Sequence, residues 1–363
     1  MSTAPDVATV LGTRPELIKL GPVIDRLGSR NEVIWTGQHY DPALTDAFFA
    51  GPLRPETSVE GVGGSSRAGQ IVAMLGTLAG RFERSPPAAV VVQGDTNTAN
   101  AAAQAAHYCG VPVVHVEAGL RSFDRGMPEE INRQIIGAVA DLHCCATEGN
   151  AINLRRSGVR HEAILVTGNT IVEATLARLP DEDERAKVLA NSGLTDDGYV
   201  LATIHRPENT DDGERLARIL EGLGNLPWPV VLPLHPRTRS RIDSFSLGHL
   251  TAPLSMLDPI DHRTFLALAR HARVIVSDSG GVQEEVTVLK RPLVVVRNST
   301  ERPEAIDAGF SVLVPPDRLE AAVEALARPE VARRLATIGC PYGDGRAAER
   351  IVQATFALAG AAP

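Results

Sequence analysis

"ARVIVSDSGGVQEEVTVLKRPLVVV" (residues 272–296) holds a short apolar run, a turn with two adjacent glycines, a helical stretch and a second apolar run. That order is a strand–helix–strand unit, which joins parallel strands. Ser279, Gly280 and Gly281 stand where the helix starts, and the free N–H groups of a helix start bind anions such as a diphosphate. Two carboxylates, Glu284 and Glu285, follow in the same helix, although carboxylates repel phosphate. Glu285 lies four to five residues inside, roughly 6–7 Å along the axis at helical rise. It is therefore one nucleoside unit from the phosphates, where a carboxylate accepts hydrogen bonds from ribose hydroxyls, as in dinucleotide sites. The stretch thus reads as a nucleotide cradle, with Glu284 as a solvated helix residue.

The same alternation extends in both directions. "VATVL" (7–11), "AAVVVQ" (88–93), "VPVVHV" (111–116) and "AILVT" (163–167) alternate with helical or loop patterns. After the charged stretch "PDEDERAK" (180–187) the pattern restarts with "YVLATI" (199–204), "PVVLPL" (229–234), "ARVIVS" and "PLVVV". Continuous apolar runs of this length suit strands buried on both faces of a parallel sheet. The fold class expected is α/β: two Rossmann-like, doubly wound domains facing a central cleft. The expected boundaries are 1–175 and 176–345, with the last helix, 346–363, placed with the first domain. "GVGGSSRAG" (61–69) reads as a flexible loop.

Bulk properties narrow the function. A 44% apolar and 22% charged composition is that of a globular protein. Net charge is −8 with scattered basic residues, which argues against a nucleic-acid surface. No apolar run of spanning length or export signal is evident, so no membrane partner and a cytoplasmic location are expected. The four cysteines, Cys109, Cys144, Cys145 and Cys340, lack C-x-x-C spacing, and reduced thiols are expected. No H-x-x-x-H or C-x-x-C spacing supports a metal site, and G-x-S-x-G, Walker and G-x-G-x-x-G patterns are absent.

Candidate residues cluster after the strands. In "GTRPELIKL", Thr13 caps a helix with Pro15 in its first turn, placing the cations Arg14 and Lys19 near an anion-attracting N-terminus; a capped helix with two surface cations is the plainer reading. Asp95 follows "AAVVV", as a functional carboxylate or a helix cap. Glu117 ends "VPVVHVEA", an odd place for a residue that is a poor strand former and costly to bury unpaired. Glu129 and Glu130 open a further helix, where the macrodipole favours carboxylates in any case. His205 and Arg206 follow "YVLATI"; His235 and Arg237 follow "PVVLPL".

In this order, "GTRPE", "GQH", "GDTNT", "HVEAGLRS", "PEEINR", "TGNT", "HRPEN", "DSGGVQEE", "TERPEA" and "PYGDG" resemble the non-hydrolysing UDP-N-acetylglucosamine 2-epimerases over nearly the whole chain. The resemblance implies a glycosyltransferase-B type fold, a homodimer, no metal or NAD cofactor, and a small-molecule nucleotide sugar as partner. It implies interconversion of UDP-GlcNAc and UDP-ManNAc by loss of UDP to a glycal and its re-addition. By motif, Asp95, Glu117, Glu129 and His205 are the catalytic candidates. Arg14, Lys19, His205, Ser279, Gly280, Gly281 and Glu285 would bind UDP. Gln38, Arg67, Glu130, Arg206 and His235 match a second, activating UDP-GlcNAc site, although Asp41 stands where a glutamine is usual. The segment between "GLRS" and "PEE" is shorter than in many relatives and carries Phe123, so the sugar's substituents stay open. A UDP-diacetamido-uronate epimerase, a hydrolysing 2-epimerase and a glycosyltransferase on the same fold are the alternatives.

Overall fold

The structure, a computed structural model, describes residues 6–38, 55, 57–59 and 62–360. The chain divides into two compact units, Met1–Ala174 with Tyr342–Pro363, and Thr175–Pro341. Among the described residues, the sheet of the first unit has seven strands: β1 (Val7–Leu11), β2 (Asn31–Trp35), β3 (Thr57–Ser58), β4 (Ala89–Gln93), β5 (Val113–Ala118), β6 (Leu142–Cys145) and β7 (Ile164–Val166). All pair in parallel, in the order β3-β2-β1-β4-β5-β6-β7. Strands β1, β2, β4 and β5 are buried along their whole length, because helices cover both faces.

On one face, Met74, Leu78 and Phe82 of the helix Arg67–Arg84 meet the alanine-rich helix Asn97–Tyr108. On the other, Leu17, Leu20 and Ile24 of the helix Arg14–Leu27 pack with Ile351 and Phe356 of the last helix, Ala347–Leu358. The chain thus returns to the first unit, and Glu173 accepts a hydrogen bond from the Ala348 N–H at 3.1 Å.

The second unit contains β8 (Val200–Thr203), β9 (Val230–Pro233), β10 (Ser255–Leu257), β11 (Val274–Ser277), β12 (Leu293–Val296) and β13 (Ser311–Val314), all parallel, in the order β10-β9-β8-β11-β12-β13. Both units are doubly wound, as expected, and each holds the Rossmann strand order. Strand order reverses between β1 and β4 in one and between β8 and β11 in the other. Loops leaving such a pair diverge, so ligands bind at the strands' carboxyl ends there.

One expectation needs correction. The stretch 61–69 is not wholly loop: Arg67–Gly69 already belong to a helix, because the Ser66 hydroxyl caps it by accepting the Gly69 N–H at 3.2 Å. No helix among the described residues is long and apolar enough to cross a membrane.

Candidate active site

In the first unit the loops after β1, β4 and β5 converge. Thr13 caps the helix Arg14–Leu27, placing Arg14 at its first position, half-buried. The loop approaches the helix Asn97–Tyr108 so closely that a Cβ on Gly12 would stand 2.0 Å from Thr36 Oγ1 and 2.3 Å from Thr98 Oγ1; only glycine fits. Lys19, one turn on, is buried, and its Nζ stands 2.5 Å from Glu117 Oε2. Gln93 Nε2, at the end of β4, donates to the same oxygen at 2.7 Å. Glu117 has a left-handed backbone, φ +59°. It sits where pairing with β6 slips, between Val116↔Cys144 and Ala118↔Cys145. This is a bulge that re-aims one side chain at a strand end. A non-glycine residue held in this conformation costs about 1–2 kcal/mol and clusters at functional sites.

Asp95 is not a helix cap; Thr96 does that work, accepting the Ala99 N–H at 2.9 Å. Asp95 Oδ2 instead accepts a forked bond from Arg133, Nε at 2.8 Å and Nη2 at 2.6 Å. Arg133 also binds Glu130 at 2.8 Å. Of the two adjacent glutamates, Glu129 is exposed and Glu130 buried. Burial pushes the Glu130 carboxyl up, but the Ser122 N–H and Arg133 outweigh it and hold it below the usual range. Gln38 accepts from both the N–H and the hydroxyl of Thr98, at 2.9 and 3.0 Å. Gln38 and Glu130, expected at an activating site, therefore brace the unit's own loops, whereas Arg67 is exposed. Asp41 lies outside the described residues.

In the second unit, Asp278 follows β11 directly, is fully buried and reaches across the strand-order reversal. It accepts from the backbone N–H of His205 and Arg206, both at or near 3 Å, and from Asn209 Nδ2 at 3.0 Å. His205 Nδ1 stands 3.3 Å from the same carboxylate, and its ring lies 5.4 Å from that of His235. Burial lowers both imidazole pKa values; Asp278 opposes this at His205, while Arg206 and Arg237 reinforce it.

Ser279 precedes the helix Gly280–Leu289, whose first turn no Ser279 side-chain bond caps, leaving N–H groups for an anion. Arg302 stands against that helix start: a Cβ on Gly280 would meet its Nη1 at 2.7 Å. Glu284, expected to be solvated, is buried and accepts from Arg302 Nε at 2.9 Å. The helix is covered on that side, and the Arg302 guanidinium makes the burial tolerable. Burial pushes the Glu301 carboxyl up, but Arg302, Arg297 and Arg206 hold it far below the usual carboxylate range. Glu285 Oε1 accepts from His262 Nε2 at 2.8 Å.

Several of these residues escaped the sequence reading. Glu16 is fully buried and accepts from the Gly12 N–H at 3.0 Å, the Thr13 hydroxyl at 2.8 Å and the Thr96 hydroxyl at 2.6 Å. It ties the loop of Arg14 to the loop of Asp95, and burial raises its pKa to about 7. The T-x-x-E capping-box pattern at 13–16 was the available signal. Arg133, Asp278 and Arg302 lay inside quoted motifs, but nothing local marks which carboxylate or loop each one grips.

A sequence model described as UDP-N-acetylglucosamine 2-epimerase matches residues 25–355. A UDP-N-acetylglucosamine 2-epimerase of Methanocaldococcus jannaschii is 38% identical, over 96% of this chain and 98% of its own. A UDP-2,3-diacetamido-2,3-dideoxy-D-glucuronate 2-epimerase of Pseudomonas aeruginosa is 35% identical over the same shares. The crystal structure of the Methanocaldococcus jannaschii UDP-GlcNAc 2-epimerase with UDP-GlcNAc and UDP superposes with a TM-score of 0.85 at 38% identity, over 96% of this chain and 98% of that one. With its two doubly wound units and this match along nearly its whole length, the chain belongs to the UDP-N-acetylglucosamine 2-epimerase family.

Proposed function

We propose that the protein inverts C2 of a UDP-N-acetyl-hexosamine, converting UDP-GlcNAc to UDP-ManNAc by elimination and re-addition of UDP. The observation that carries this is Glu117: a buried carboxylate, re-aimed by a bulge and gripped by Lys19 and Gln93. Left-handed backbone and a buried ionisable side chain are both features that concentrate at functional sites.

The C2 proton is not adjacent to a carbonyl, so it leaves only as the C1–O bond to UDP breaks. The C2–H electron pair forms the C1=C2 bond of a glycal, and the diphosphate takes the C1–O pair. Re-addition protonates C2 from the opposite face while UDP returns to C1. No electrons are gained or lost overall, so the reaction requires no redox cofactor. Asp95, Glu117 and Glu129 are the proton-transfer groups, and removing one costs roughly 10²–10⁴-fold in rate. Arg14, Lys19, His205 and the helix start at Ser279–Gly281 stabilise the departing diphosphate, as preorganised donors do for developing negative charge. Glu285 accepts from the ribose. In this reading the Lys19 ammonium serves Glu117 directly and the diphosphate through its charge.

The sugar is the finer point. The 35% identity to the diacetamido-glucuronate epimerase, and Phe123, 74% exposed with φ +59° in the Ser122–Met127 segment, favour testing that substrate as a second reading. The homodimer would give the exposed Val72 and Tyr108 a partner, and four free cysteines fit a cytoplasmic setting.

Incubation with UDP-GlcNAc in heavy water, followed by NMR, tests the function. Deuterium at C2 together with UDP-ManNAc is expected. Unchanged, unlabelled sugar overturns the elimination route, free ManNAc with UDP would indicate hydrolysis, and labelling only with the diacetamido-uronate would move the substrate.

A further inference from the structure

Glu285 is not left to orient itself. His262 opens the helix His262–His271, which packs beside the helix Gly280–Leu289, and its Nε2 lies 2.8 Å from Glu285 Oε1. Both side chains are more than nine-tenths buried. The other ring nitrogen, His262 Nδ1, is buried with no hydrogen-bond partner among the described residues. A doubly protonated ring would bury an unpaired N–H there, whereas the neutral Nε2–H tautomer leaves only a lone pair unmatched, which is less costly. The ring therefore donates to Glu285. Among the described residues nothing donates to the second oxygen, Oε2. A glutamate's terminal torsion is broad and roughly two-fold, so a single fixed donor decides which oxygen faces the ligand and in what plane.

We propose that His262 is a positioning residue for nucleotide recognition: its Nε2–H pins Oε1 of Glu285 and presents Oε2 to the ribose hydroxyls of bound UDP. The inference rests on the reading that Glu285 takes the ribose.

The test measures Kd for UDP and for 2′-deoxy-UDP by calorimetry in the wild type, Glu285→Gln, His262→Asn and His262→Gln. The side-chain amide of glutamine reaches the place of Nε2, whereas that of asparagine reaches only the place of Nδ1. The wild type is expected to prefer UDP by about tenfold, the worth of one good charge-assisted hydrogen bond. Glu285→Gln, which keeps an uncharged acceptor, and His262→Asn should both lower the preference clearly, and His262→Gln should keep most of it. An undiminished tenfold preference in Glu285→Gln overturns the ribose reading itself. A preference lowered in Glu285→Gln but intact in His262→Asn overturns the role of His262 alone. Equal loss in His262→Asn and His262→Gln would show a packing role and also overturn the proposal.

Discussion

Lys19 Nζ and Glu117 Oε2 stand 2.5 Å apart with both side chains closed to solvent. Gln93 at the end of β4 completes the group, and because β4 lies between β1 and β5, three neighbouring strands and their connections supply one residue each. Removing one partner of a buried ion pair strands the other charge and costs about 3–5 kcal/mol, whereas replacing both is often neutral. Lys19→Met should therefore lower the unfolding free energy by that amount, and Lys19→Met with Glu117→Gln should recover most of it. Urea unfolding of the four proteins measures this; simply additive losses would show that the two residues are not coupled.

Glu117→Gln alone should abolish deuterium exchange at C2 without weakening UDP binding, because the groups proposed to hold UDP, Lys19 among them, all remain. A variant that no longer binds UDP would place Glu117 at the diphosphate instead.

The backbone at Glu117 makes a separate prediction. In an ordinary strand, glycine is less stable than alanine by roughly 0.5–1 kcal/mol. At φ +59° the sign should reverse, because only glycine adopts this conformation without a Cβ penalty. Glu117→Gly is expected to be more stable than Glu117→Ala by about 1 kcal/mol, measured by the same unfolding experiment. The ordinary order would mean that the bulge relaxes once the side chain is gone.

Glu16 should govern part of the pH dependence of stability. Its carboxyl titrates near 7 when folded, against an ordinary value of 4.5, because burial outweighs the bonds from Thr96, Gly12 and Thr13. Between these values the folded chain holds a proton that the unfolded chain has released, so stability falls as pH rises through the window. The loss is on the order of 3 kcal/mol, fully developed above pH 7. Glu16→Gln should remove this slope, so that its stability relative to wild type improves from pH 5 to pH 8. A constant difference across that range would show that Glu16 is already ionised at pH 5.

The sequence made the architecture legible because strands buried on both faces have to be continuous apolar runs, and β1, β4, β11 and β12 are such runs. Candidate loops could be picked out because each follows a strand, and some start with a capping or helix-opening residue, as at Thr13 and Ser279. What stayed hidden was pairing across the chain. Lys19 and Glu117 lie 98 residues apart and Asp95 and Arg133 lie 38 apart, so no local spacing joins them. Glu284 shows the same limit. A charged helix residue in isolation belongs in solvent, whereas Arg302, brought in by the loop after β12, helps to make its burial tolerable.

Asp278 offers the last test, because one carboxylate holds both the backbone and the ring of His205. The carboxylate favours the charged imidazole, opposing the effects of burial and of the neighbouring arginines. Asp278→Asn removes that support, so the His205 pKa should fall further below its ordinary value. Because the new amide group must also face donors from His205, Arg206 and Asn209, a stability loss of about 1–3 kcal/mol is expected as well. NMR titration of the His205 ring reads the first effect and urea unfolding the second. If His205 stabilises the diphosphate as proposed, its protonation adds positive charge there, so any gain in UDP affinity on acidification should move to lower pH in the variant. An unchanged or higher His205 pKa would show that Asp278 acts on the loop alone and leaves the imidazole to its arginine neighbours.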